Sequence, residues 1–253
     1  MKEFLLEACV DSLASAEAAK QGGADRLELC TGLVIGGLTP GLSFFRQVKK
    51  RTGLRVHVLI RPRFGDFCYS ADEFEGMKED IQAFAQAGAD GIVTGFLRPD
   101  GHLDFERMRQ VRELCGTCHF TLHRAFDVCV EPFRALREAK EIGVDTILTS
   151  GQKDSALDGA DLLHDLVQAA EGKVDILVGS GVQAKNLAEL ASRTGAKSFH
   201  LSAKKEKDSA MAYRKTDVHM GLPMMSEYTI FETDAQEIAA ARRILEQLSG
   251  NQL

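Results

Sequence analysis

The chain has 253 residues, 44% of them hydrophobic and 27% charged, with a formal net charge of −6. That size and composition suit one folded domain with a full core and exclude a disordered segment. The acidic balance excludes a general nucleic-acid binder, and no apolar run approaches the roughly 20 residues needed to span a bilayer. Met1 to Cys9 carries Lys2, Glu3 and Glu7 and leads directly into regular structure, so no signal peptide is expected. The expected location is the cytoplasm, where the six cysteines stay reduced rather than forming a disulfide framework.

Short β-rich runs alternate with helical patterns along the whole chain. The expected strands are Phe4–Cys9, Arg26–Cys30, Arg55–Arg61, Gly91–Thr94, His119–Arg124, Thr146–Thr149, Asp175–Val178 and Ser198–Leu201. Between them lie amphipathic stretches such as Ala71–Ala87 and Phe105–Leu114, with apolar residues at three- and four-residue spacing. Ser12 is a candidate cap for the first helix and Asp72 for the third, and Pro132 suits the first turn of the fifth. Gly23-Ala24-Asp25, Gly88-Ala89-Asp90, Gly143-Val144-Asp145 and Gly195-Ala196-Lys197 each end a helix and launch a strand, in every second unit. Eight units without a linker predict one parallel (β/α)8 TIM-type barrel over residues 1–253 rather than an open sheet. Thr31–Thr39 and Pro62–Ser70 are long strand-to-helix loops. Lys204–Thr233 is longer still and is expected over the mouth or at a subunit interface.

Alternation along the strands sorts their side chains. Phe4, Leu6 and Ala8 face the helices, leaving Glu7 and Cys9 inward; Leu27 and Leu29 likewise leave Arg26, Glu28 and Cys30 inward. The same logic sends His57, Arg61 and Arg63 inward from the third strand, His123 from the fifth, with Arg124 and Asp127 at its end, and His200 from the eighth. Barrel enzymes keep their chemistry at these C-terminal strand ends. The alternative, an internally paired structural network such as Arg61 with Glu28, is disfavoured by the cost of burying charge. Cys9 and Cys30 are expected at equal height on neighbouring strands, roughly 5 Å apart, either as a pair of soft thiolates for Cu(I) or as small buried hydrophobes. Gly179-Ser180-Gly181, after the seventh strand, resembles an anion-cradling loop that Ser150-Gly151 would join. Cys115-Gly116-Thr117-Cys118-His119 matches a haem-attachment pattern, but it falls at a helix-to-strand join on the stability face; structural thiols are expected, with no haem and no nucleotide cofactor.

Longer motifs point to a family. Glu7-Ala8-Cys9-Val10-Asp11-Ser12, Arg26-Leu27-Glu28-Leu29-Cys30, Ile60-Arg61-Pro62-Arg63 with Gly65-Asp66-Phe67, His123-Arg124-Ala125-Phe126-Asp127, Leu148-Thr149-Ser150-Gly151, Phe199-His200-Leu201-Ser202-Ala203 and Ser226-Glu227-Tyr228 resemble the CutC copper-homeostasis proteins over nearly the whole chain. The resemblance implies a β/α barrel that is cytoplasmic, homo-oligomeric (a dimer is favoured) and copper-binding, with Cys9 and Cys30 as Cu(I) ligands; from the residues themselves, His123 and His200 are candidates for a further ligand. The residues themselves leave a second reading open. In it the protein is an enzyme acting on a small anionic or phosphorylated metabolite. Arg61, Arg63, Arg124 and Gly179-Ser180-Gly181 hold the anion, and Glu7, Glu28, His123 and Asp127 handle protons.

Overall fold

Residues 4–215, 217–218, 220–221 and 225–250 are described by the computed structural model. Among them, eight parallel strands close into a barrel in chain order: β1 (Leu5–Val10), β2 (Arg26–Leu29), β3 (Arg55–Leu59), β4 (Gly91–Thr94), β5 (His119–Leu122), β6 (Thr146–Thr149), β7 (Asp175–Val178) and β8 (Ser198–Leu201). Strand β8 pairs back onto β1, with Glu7 opposite His200. The intervening helices are α1 (Leu13–Gln21), α2 (Leu42–Thr52), α3 (Ala71–Gln86), α4 (Phe105–Cys115), α5 (Pro132–Ile142), α6 (Ala160–Ala170), α7 (Ala184–Thr194) and α8 (Ala235–Gly250). This is the expected (β/α)8 barrel.

The alternation argument holds because a barrel strand has only two environments. Leu6, Ala8, Leu27, Leu29, Val56, Val58, Phe120 and Phe199 all join the large core between strands and helices. Cys9, Cys30, Leu59 and Val93 form a separate small cluster inside the barrel.

The four glycine joins end their helices in left-handed conformations, with φ of 89° at Gly23, 87° at Gly88, 82° at Gly143 and 71° at Gly195. In three of them the following aspartate forms a double hook invisible in the sequence. Asp25, Asp90 and Asp145 each donate a backbone N–H to the strand before, at Leu6, Val56 and Phe120. Their carboxylates accept the N–H of that same residue at 2.8, 2.7 and 2.8 Å. In the fourth join Lys197 replaces aspartate, and its carbonyl takes the Leu5 N–H instead.

Two local expectations change. The cap of α3 is Ser70, not Asp72: Ser70 Oγ accepts from Glu73 N–H while the Glu73 carboxylate takes the Ser70 N–H, a reciprocal pair that Asp72 has no partner to form. The 204–233 segment is also not all loop. It opens and closes with an antiparallel pair, β9 (Lys204–Asp208) and β10 (Thr229–Thr233). With Lys-Lys-Glu-Lys-Asp exposed throughout, β9 offers no apolar alternation to betray it.

Behind β6 the chain folds back on itself through Gly151 and Gly159. A Cβ added at Gly159 falls 2.0 Å from the Ser150 carbonyl oxygen, a backbone atom that no rotamer change can move. Gly159→Ala is expected to cost about 1–3 kcal/mol, read as a lower urea midpoint with an unchanged slope.

Candidate functional site

Three neighbouring strands build one wall of the mouth. Glu7 on β1 is 1% exposed and accepts from Arg26 Nε on β2. Its other oxygen meets Nδ1 of His200 on β8 at 2.7 Å. That contact turns the opposite ring nitrogen, Nε2, toward Glu28, 3.9 Å away. Cys9 Sγ donates to Glu28 Oε2 at 3.0 Å and lies 3.8 Å from Cys30 Sγ. Donor atoms of Cys9, Glu28 and His200 all fall within 4.8 Å of one another, the spacing a metal ion needs.

Cys9 and Cys30 are not at equal height. The parallel register pairs Cys9 with Glu28, so Cys30 lies two residues further along its strand. The sulfurs still meet because strands in a closed barrel are tilted and staggered, which brings successive layers together across the interior. Cys9 lines the cavity at the mouth, while Cys30 is fully buried behind Gly37. A Cβ at Gly37 would sit 3.4 Å from the Cys30 sulfur and 2.8 Å from Leu59.

The opposite wall rises from β3 and β5. Arg61 is 8% exposed, its Nη1 held by the carbonyls of Gly36 and Gly37 and its Nη2 by that of Gly65 at 2.8 Å. His123 is 5% exposed and packs where Gly95 has no side chain, since a Cβ there would lie 2.9 Å from its Nδ1. Both line the same cavity of about 780 Å³ as Cys9, Glu28 and His200.

Other expected site residues go elsewhere. Arg63 does not face inward: it is bound by Asp66 and Glu73 and by the carbonyl of Cys68. The pleat that would have aimed it inward ends before Pro62. Asp127 does not reach the cavity, because its carboxylate takes the N–H groups of Ser150 and Gln152, the Thr149 hydroxyl and Arg124 Nε. Arg124 lines the cavity but spends its charge on Asp127 and Ser150. Glu7 is sealed beneath the floor, so of the four acid–base candidates Glu28 and His123 face the cavity.

Gly179 lies under Leu148, donating to Thr149; Ser180 and Gly181 line the rim, where Ser180 Oγ is taken by the Asp154 carbonyl. Cys115 and Cys118 join the large core at the far end of the barrel, where burial pushes Cys115 up to about 12. Cavity residues missed from sequence include Phe67, Gln183, Lys185, Lys204, Lys205, Asp234 and Glu237. Only Phe67 carried a signal, through the Gly65-Asp66-Phe67 motif.

Electrostatics separates the two walls. Burial opposes the charge of Glu7, yet Arg26 and the His200 hydrogen bond hold it well below the usual carboxylate range. Burial likewise opposes protonation of His200, but the Glu28 and Glu7 charges raise it above an ordinary histidine. Burial pushes Glu28 up. The hydrogen bond with Cys30, then burial, push the Cys9 thiol well up. Burial, aided by Arg61, lowers His123 to about 3, and burial does the same to His57 inside the barrel.

Two predictions follow from these charges. Glu7→Gln leaves Arg26 buried without its carboxylate and is expected to cost about 3–5 kcal/mol in urea unfolding. His57 and His123 contribute stability that is full above the unfolded histidine value of 6.5 and lost as pH falls toward 3, since the unfolded chain takes protons the folded chain refuses. The expected slope is about 1.4 kcal/mol per pH unit for each group, and His123→Phe should remove its share in a series of urea midpoints from pH 6.5 to 4. His200, being raised, acts with the opposite sign: its share is full below 6.5 and fades as pH rises.

Comparison with known proteins agrees with the motifs. The CutC family profile matches residues 4–205. A copper homeostasis protein cutC homolog of Homo sapiens is 41% identical over 246 residues, covering 97% of this chain and 90% of that protein. A CutC family protein of Chromobacterium violaceum is 42% identical over 243 residues, covering 96% and 98%. A crystal structure described as a copper homeostasis protein CutC from Streptococcus agalactiae superposes with a TM-score of 0.75 at 29% identity, covering 79% of this chain and 98% of that one. Thiamine phosphate pyrophosphorylase from Pyrococcus furiosus, at TM-score 0.57 and 16% identity, shares the fold alone. With the profile spanning most of its length and relatives above 40% identity, this chain belongs to the CutC family.

Proposed function

We propose that this protein binds Cu(I) at the barrel mouth through the thiolates of Cys9 and Cys30. The observation that carries the reading is the pair of free thiols 3.8 Å apart, one of them on the cavity floor. Soft sulfur ligands select Cu(I), and two of them suffice for it. The copper homeostasis naming of the relatives points the same way. The reading places the protein in a reducing, cytoplasmic compartment where both cysteines remain thiols.

Each thiol must lose its proton to become a ligand. Glu28 already accepts the Cys9 S–H and, raised by burial, holds a proton more readily than an exposed carboxylate. It is therefore placed to receive the proton that copper displaces. His200 stands beside the pair with its ring direction fixed by Glu7, as an additional nitrogen ligand or as a nearby positive charge.

An anaerobic titration against a competing Cu(I) chelator tests this. Tight one-to-one binding is expected in the natural protein and its loss in the Cys9→Ser, Cys30→Ser double variant. Glu28→Gln should weaken binding by roughly 10–100-fold, and affinity should fall as pH is lowered. Equal affinity in the double variant would remove the proposal.

A further inference from the structure

We infer that the β3–β5 wall of the same cavity is a receptor for the carboxylate or phosphate head of a small organic anion, gripped by Arg61 Nε–H and His123 Nε2–H. This site shares no residue with the thiol pair and does not depend on copper.

Arg61 is a buried cation whose neighbours are all neutral, the carbonyls of Gly36, Gly37 and Gly65 and the Tyr69 hydroxyl; it pairs with no carboxylate among the described residues. Its Nε is buried and has no protein partner. Every other buried arginine contrasts with it: Arg26 is matched to Glu7 and Arg242 to Asp25. Glycine makes this arrangement possible, since at Gly36 a Cβ would fall 2.9 Å from the Arg61 Nη1. The surrounding loops thus orient the guanidinium by its outer edge without neutralising it.

His123 supplies the second donor. Its Nδ1 accepts the Ala125 N–H at 3.2 Å, so the proton of the neutral ring resides on Nε2. That Nε2–H is buried and has no protein acceptor. Depression of the ring by burial and by Arg61 keeps this tautomer neutral at physiological pH, a donor that does not titrate away. The Phe67 ring packs against both groups, 4.8 Å from the His123 ring and 5.0 Å from the Arg61 guanidinium carbon. One fixed positive charge and one fixed N–H donor on a shared wall form an acceptor-seeking pair, and an oxyanion satisfies both.

The cavity sets the rest of the ligand. About 780 Å³ is far more than a bare ion fills, and Leu33, Leu59 and Leu148 give it apolar sides. At its rim Lys185, Lys204 and Lys205 stand among the carboxylates of Asp234, 3.6 Å from Lys205, and Glu237, a mixed rim in which the cations outnumber the anions and favour an entering anion. Neither donor nitrogen reaches solvent in this conformation, so receiving the anion requires a local shift of the side chains packed on them, among which is the half-buried Phe67 ring.

The test uses the full chain, metal-free, in calorimetric titrations with methyl phosphate, acetate and sodium chloride at matched ionic strength. Binding of methyl phosphate or of acetate, and not of chloride, is expected, and which of the two binds identifies the head group. His123→Phe keeps a ring against Phe67 but removes the donor, and should weaken binding about tenfold; Arg61→Gln should abolish it. Because Arg61 also ties down two loops, His123→Phe is the decisive variant if Arg61→Gln fails to fold. Heat signals no different from chloride, or equal affinity in His123→Phe, would overturn the inference. The Cys9→Ser, Cys30→Ser protein should bind the anion as the natural chain does, which separates this result from the outcome of the copper titration.

Discussion

A single buried carboxylate, Glu7, holds three strands of the mouth in relation to one another. From β1 it binds Arg26 on β2 and His200 on β8, so its two oxygens span both neighbouring strands. Three ionisable groups in a dry interior are tolerable only as a set, because removing one leaves another charge without compensation. The functional consequence lies one layer up. Since Glu7 fixes His200 by Nδ1, it also fixes where Nε2 points, and Nε2 is what meets the Glu28 and Cys9 layer. The geometry of the cavity floor is inherited from an ion network that the cavity itself does not expose.

The two walls solve the problem of buried charge differently. On the β8–β1–β2 side, charge answers charge within hydrogen-bond distance. On the β3–β5 side, Arg61 is met by backbone dipoles and an aromatic face, which orient it but leave its charge uncancelled. A network closed on itself suits a scaffold; a group stabilised by dipoles alone keeps an affinity for an incoming anion. The same chemistry explains why Arg63, only two residues on, is excluded from the site. Asp66 and Glu73 neutralise it at the surface.

The barrel and most of its inward set were legible because alternation and the glycine joins are local properties of sequence. Cys9, Glu28, Cys30, Arg61, His123 and His200 all fall where the period-two pattern places them. What failed depends on relations between distant segments. The height of Cys9 against Cys30 is set by parallel register and barrel stagger, which no single strand encodes. Asp127 looks like a proton-handling group beside His123, yet the turn after β6 presents Ser150 and Gln152 amides that consume it. The aspartates at Asp25, Asp90 and Asp145 recur visibly after their glycines, but the hooks they form do not show, because their partners lie about one strand–helix unit or more earlier in the chain. Lys204 and Lys205 come from a strand that is charged and exposed at every position, with no alternation to mark which of them meets the cavity.

Charge balance connects the floor to the proposed cargo. Two thiolates on one Cu(I) carry a net charge of −1, a poor fit for an apolar barrel interior unless a cation stands close by. Arg26 and a protonated His200 against ionised Glu7 leave one positive charge over, beside Cys9. In the absence of metal that surplus faces Glu28, and it is one of the influences that oppose burial's upward push on the Glu28 carboxyl. In the proposed complex the Cys9 proton would pass to Glu28 and the Cys30 proton to solvent, leaving a neutral carboxyl and the surplus positive charge facing the copper dithiolate. On that reading the metal would exchange with both thiol protons around a fixed positive charge. The Glu7–Arg26–His200 network need not rearrange for that exchange, which is the property a rigid barrel floor can supply and a flexible loop cannot.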